Sequence, residues 1–117
     1  MKRSRKTARE ESSATSREIS NSSLRARVAD DLLKQLRAVG KADRKLIGEA
    51  MNAVVAAWGR PHLHAGIGIR RLTKSIFECR VGRDDRLAFV FTVTPPELVF
   101  FFLGNHGEIQ NLIRSCR

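Results

Sequence analysis

Between Arg60 and Arg86 the chain carries Arg60, Arg70, Arg71, Lys74, Arg80, Arg83 and Arg86 against Glu78, Asp84 and Asp85, seven basic residues to three acidic, a net +4 in 27 positions. Arginine suits phosphate because its planar fork donates two parallel hydrogen bonds and does not lose its charge. Arg70, Arg71, Lys74 and Arg83 are therefore candidate nucleic-acid contacts. Arg83 falls in a turn-forming run, where a solvated charge guarding a sheet edge is the plainer reading. Arg80 and Arg86 fall within strands on the same face as Glu78, where the plainer reading is a cross-strand Arg–Glu pair. His106 follows the apolar segment Leu98 to Leu103, and an imidazole emerging there exchanges protons near neutral pH. A structural cap is its competing role. Glu78, Arg80, Arg86, Lys74 and His106 together hold the groups that metal-free cleavage of a ribose phosphodiester requires. Those groups are a base for the 2′-OH, cations for the charge on phosphorus and an acid for the leaving 5′ oxygen.

The remaining composition narrows the classes. A chain of 117 residues has room for one domain. Its 22 Lys+Arg against 12 Asp+Glu give a net charge of +10, which favours a polyanionic partner and says nothing of fold. Cys79 and Cys116 stand far apart and outside any Cys/His cluster, which argues against a disulfide framework or a zinc site. His62 and His64 have a ligand-like spacing, but no third ligand lies near them in sequence. No metal and no other cofactor is expected. No apolar run approaches the roughly 18 residues that span a bilayer. The amino terminus has no apolar core and carries Glu10, Glu11 and Glu18, unlike a secretory or transit peptide. The expected location is the cytoplasm, with no membrane contact.

The elements that must position these residues are legible in outline. Residues 1–22 hold almost no large apolar side chain and read as a disordered basic tail, with the folded domain over 23–117. Leu24, Ala26 and Val28 alternate with Arg25 and Arg27, which predicts a short strand. Asp30 is placed to cap a helix through Leu32, Leu33, Leu36 and Val39, with Gly40 as its left-handed terminus. A second helix over about Ala42–Trp58 carries the stripe Leu46, Ile47, Ala50, Met51, Val54, Val55 and Trp58, stopped by Gly59 and Pro61. A meander follows. Phe77, Cys79 and Val81 share one face with Leu87, Phe89 and Phe91, while Ile76, Glu78 and Arg80 take the other with Arg86. Pairing Cys79 with Phe89 across the Gly82–Asp85 turn gathers the large apolar groups. Leu98–Leu103 is a central strand, Gly104–Gly107 breaks it, and Glu108–Cys116 closes the chain as a helix. The expected class is α+β: a β-α-α-β-β-β order with a small curved, mainly antiparallel sheet, a helical hairpin and a short C-terminal helix.

Four runs taken in order carry a resemblance. They are Gly68-Ile69-Arg70-Arg71-Leu72, Ile76 to Arg83 with its Glu78-x-Arg80, Arg86-Leu87-Ala88-Phe89, and Phe102-Leu103-Gly104-Asn105-His106-Gly107-Glu108-Ile109. In that order they resemble the RelE/ParE superfamily of type II toxins over about residues 24–115. The resemblance implies a toxin with metal-independent endoribonuclease activity, cleaving mRNA at the ribosome, inhibiting translation and restrained by a cognate antitoxin. It matches Arg86 to the arginine that contacts the scissile phosphate, Glu78 and Arg80 to the E-x-R strand, and His106 to a carboxy-terminal acid/base histidine. Lys74 lies where some members carry a basic catalytic residue. Gln110 stands where many members have an aromatic side chain, and the chain has no tyrosine, which leaves base stacking to Phe or His. Two other readings are a ParE-like gyrase poison and a non-catalytic RNA-binding module.

Overall fold

The alternation at Leu24–Val28 becomes strand β1 (Arg25–Val28). The chain then runs as α1 (Asp30–Arg37), α2 (Lys41–Ala57), α3 (Pro61–Ile67), β2 (Arg70–Arg71), β3 (Ile76–Val81), β4 (Asp85–Thr92), β5 (Glu97–Asn105) and α4 (His106–Ser115). The structure is a computed structural model that describes residues 24–115, so the tail expected at 1–22 lies outside the described residues. One sheet of five strands has the order β1-β5-β4-β3-β2. β1 runs parallel to β5 and the other pairings are antiparallel. The α+β class, the helical hairpin and the C-terminal helix are as expected. Helix α3 and the two-residue β2 are additions.

Three local details differ from expectation. Asp30 is not the cap of α1: Ala29 holds that place with extended backbone and no side-chain bond. Asp30 and Asp31 instead sit in the first turn, where negative charge favours the positive end of the helix dipole. Gly40 has φ −70° and ψ 163° as the residue before α2, extended rather than left-handed. The β3–β4 hairpin pairs Cys79 with Leu87 and Phe77 with Phe89, two residues away from the Cys79–Phe89 register. A three-residue loop, Gly82 to Asp84, closes on the Val81–Asp85 pair and sets the register. Because side chains repeat every two residues, this offset preserves both faces.

The strand end also differs. β5 does not break at Gly104 but runs through Asn105, and α4 begins at His106. Asn105 Oδ1 accepts the Glu108 N–H at 2.9 Å, while Glu108 Oε1 accepts the Asn105 N–H at 2.8 Å. This reciprocal pair caps α4. Gly104 is required beneath it, since a Cβ there would lie 2.9 Å from Glu108 Cβ and from the Phe102 ring.

Each face of the sheet has its own core. Leu32 of α1, Ile47 and Val54 of α2, and Cys79, Leu87, Phe89, Leu98 and Phe100 of the sheet form the larger one. Trp58 closes its end, edge-on to Phe77 at 5.1 Å and to Phe89 at 5.6 Å. On the opposite face Ile109 and Ile113 of α4 cover Ile76 and Ala88. A bulge in β5 serves both. Ala88 pairs with Phe102 and Phe89 with Phe100, so Phe101 is the extra residue. Phe101 and Phe102 thereby both join the α4 side, while Leu103 returns to the larger core. β1 covers β5 only as far as Phe100. Beyond it Gln35 stands in for a strand, donating to Leu103 O at 2.8 Å and accepting from Leu103 N–H at 2.9 Å.

Cys79 tests this core directly. Burial, with the neighbouring Glu78 charge second, pushes its thiol from 9.0 up to about 12. The folded state thus keeps a proton that the unfolded chain loses. Its contribution to stability is complete below about pH 9 and is lost as pH rises toward 12. In a Cys116→Ser protein at pH 8, Cys79 is expected to resist a thiol-disulfide reagent and to react fully in denaturant. One thiol equivalent reacting natively within seconds would contradict the packing.

Candidate functional site

The two-residue period of β3 and β4 sends Glu78, Arg80 and Arg86 to the face opposite the larger core, beside the patch that α4 covers. Arg80 pairs with Arg86 across the ladder, and β2 adds Arg70 directly opposite Glu78. These four side chains line one cavity of about 390 Å³, completed by Ala65 and Gly68 at the end of α3 and by Ile69. Three guanidinium groups face a single carboxylate there.

Glu78 is 2 % exposed, the one buried charged residue among those described. Its Oε2 lies 3.3 Å from Arg70 Nε and 3.6 Å from Arg86 Nε. Both are ion pairs by distance. Arg86 Nε nevertheless lacks a hydrogen-bond partner, and so does Glu78 Oε1. A buried carboxylate oxygen left without a donor is costly. Here it belongs to a residue that lines the cavity, beside Arg86 Nε, which is equally buried and without a partner. The arrangement can hold a phosphate on the arginines, with the Glu78 carboxylate buried directly behind them.

Arg80 is held differently. Its Nη2 donates to Ala65 O at 3.3 Å, a carbonyl in the last turn of α3. The helix ends in a Schellman closure, with Gly68 N–H on Ala65 O at 3.2 Å and Ile69 N–H on His64 O at 3.0 Å. Gly68 takes φ +72°. The order Pro61 at the first helical position and Gly68 just past the last signals such a helix. Read from the sequence alone, Pro61 is only a stop for α2.

The other expected residues lie elsewhere. Arg71 is on the side of the sheet opposite Arg70. It donates to Thr73 O and Lys74 O at 3.2 and 2.6 Å, with its guanidinium 5.6 Å from the Phe77 ring centre. Lys74 is exposed in the β2–β3 turn, and Arg83 is exposed in the β3–β4 turn beside Asp84 and Asp85. His106 is exposed as the first residue of α4, two positions beyond Gly104, the ladder partner of Arg86. It does not line the cavity. His64 bonds Ala57 O through Nε2 at 3.1 Å and stacks on Trp58. Among the described residues, no three His, Cys, Asp or Glu side chains are grouped to hold a metal ion. No described helix is long and apolar enough to cross a membrane.

No protein-family model matches the chain, and no curated protein matches it. Solved structures do. The crystal structure of the archaeal RelE–RelB complex from Pyrococcus horikoshii OT3 contains a chain 16% identical in sequence, with a TM-score of 0.54 over 73% of this chain and 97% of that one. The solution structure of the conserved hypothetical protein HP0892 from Helicobacter pylori is 19% identical over 74% of this chain and 98% of its own, with a TM-score of 0.49. The first likeness establishes the fold as RelE-like.

Proposed function

We propose that this chain is the toxin of a type II toxin–antitoxin pair and cleaves mRNA at the ribosome without a metal ion. The observation that carries this reading is the cavity of Arg70, Arg80 and Arg86 around a buried Glu78 with one unpartnered oxygen. The arginines bind the scissile phosphate and stabilise the charge that builds on it. Glu78 Oε1 takes the proton from the ribose 2′-OH, and that oxygen attacks phosphorus. The bond to the 5′ oxygen breaks, and His106 protonates the leaving group. The products are a 2′,3′-cyclic phosphate and a 5′-OH end. Arg71, Lys74 and Arg83 supply outer contacts to the RNA or ribosome. The RelE-like fold, in a neighbour solved bound to RelB, supports an antitoxin as the protein partner, and a ribosomal target puts the place of action in the cytoplasm.

Expression of the wild-type chain is expected to arrest growth, and primer extension on cellular mRNA should then show new breaks. Binding to ribosomes or RNA should fall by at least about tenfold between about 50 and 200 mM salt, as counterion release from roughly three neutralised phosphates requires. A flat salt dependence would remove the cationic face from the contact. One observation favours the gyrase-poison reading, which needs no proton donor: His106 lies outside the cavity. Growth arrest with intact mRNA and a DNA-damage response would select that reading, and absence of arrest would select a non-catalytic RNA-binding module.

A further inference from the structure

We infer that Gly68 is a positioning residue for Arg80, its missing side chain being the space in which that arginine lies. This rests on the reading of the cavity as a phosphate site. Gly68 ends α3 in the left-handed region, and a Cβ built on it would stand 2.5 Å from Arg80 Nε, 3.0 Å from Arg80 Cβ and 3.1 Å from Arg80 Cγ. Swinging the guanidinium would relieve only the first of these. The Cβ of Arg80 is fixed by strand β3, so the whole side chain must turn away or the backbone must give.

The restraint acts against a real force. Arg80 sits directly opposite Arg86 in the ladder, and like charges in that relation repel. The carboxylate between the arginines does not compensate Arg80, since Glu78 has Arg70 and Arg86 as its ion partners. Arg80 is exposed and its one hydrogen bond among the described residues is to Ala65 O. Left to itself it would extend into solvent. The glycine surface on one side and the α3 carbonyl on the other hold it where its side chain lines the cavity. Of the three arginines, it is the one with no carboxylate partner among the described residues.

A second glycine separates this role from backbone strain. Gly59 has φ +87°, yet a Cβ there meets nothing within 4 Å. Asparagine tolerates the left-handed region better than other side chains and carries a Cβ. Gly68→Asn and Gly59→Asn thus impose similar backbone demands, and only the first displaces Arg80. The readout is the Kd for a single-stranded 2′-O-methyl oligonucleotide, which binds without being cleaved. Gly68→Asn is expected to raise Kd roughly ten- to hundredfold, as Arg80→Ala does, the worth of a hydrogen bond to a charged group. Gly59→Asn should change it by less than about twofold, and Gly68→Asn added to Arg80→Ala should cost no further affinity. Wild-type Kd in Gly68→Asn, an equal loss in Gly59→Asn, or full additivity in the double variant would each overturn the inference. Wild type that binds the probe but leaves mRNA uncut sinks the nuclease reading and leaves this one standing. Wild type with no measurable affinity for the probe overturns both.

Discussion

Glu78→Gln is expected to slow single-turnover RNA cleavage by about 10²–10⁴-fold, the usual share of a general base, while RNA binding becomes tighter. The two effects have opposite signs because the carboxylate has two consequences in the cavity. It accepts the 2′-OH proton in the chemical step, and it also places a negative charge among the arginines that hold the phosphate. Glutamine keeps the shape and removes both. The neighbouring variants give different patterns. Arg86→Ala should weaken binding and cleavage together, because a charge-assisted contact is lost in the ground and transition states alike. His106→Gln should leave binding nearly intact and slow cleavage by roughly 10²–10⁴-fold, the range for a lost acid. Single-turnover rates and oligonucleotide affinities, measured for all three beside wild type, separate these roles. A Glu78→Gln protein that cut at the wild-type rate would make Glu78 a structural ion partner of Arg70 and Arg86. Full activity in His106→Gln would make the histidine no more than the first residue of α4.

The second large effect is on stability. Phe89 is wholly buried, stacked on Phe77 at 5.7 Å, 5.1 Å from Phe100 and edge-on to Trp58. Truncation removes a ring from the centre of the sheet, where three other aromatic rings pack against it. Phe89→Ala should cost about 3–5 kcal/mol, a large part of the roughly 5–15 kcal/mol that holds a domain of this kind together. Urea denaturation should show a much lower midpoint for Phe89→Ala. Val93, 72 % exposed, is the comparison, and Val93→Ala should stay within about 0.5 kcal/mol of wild type. A small shift for Phe89→Ala would mean that the ring is not where the larger core is tightest.

Short-range periodicity accounts for the part of the fold that is legible along the chain. Leu32 and Leu36, then Ile47, Ala50 and Val54, recur at helical spacing. Phe77, Cys79, Leu87 and Phe89 alternate with Glu78, Arg80 and Arg86 at strand spacing. Those two periods decide which side chains are buried, and they put the acid and two arginines on one face in every register that keeps the apolar faces together. The rest depends on contacts between elements. The hairpin register turns on a three-residue loop, and only the closed ladder shows Arg80 opposite Arg86 rather than merely near it. α3 is seven residues long, with an apolar pattern too short to read, and β2 is a two-residue strand that exists only because β3 offers it an edge. Yet these two bring Ala65, Gly68 and Arg70 to the cavity. The capping of α4 by Asn105 and Glu108, beneath which Gly104 must lack a side chain, likewise depends on a strand and a helix meeting. The residue types that make the candidate site were visible along the chain, but their convergence belongs to contacts between elements distant in sequence, which no local period encodes.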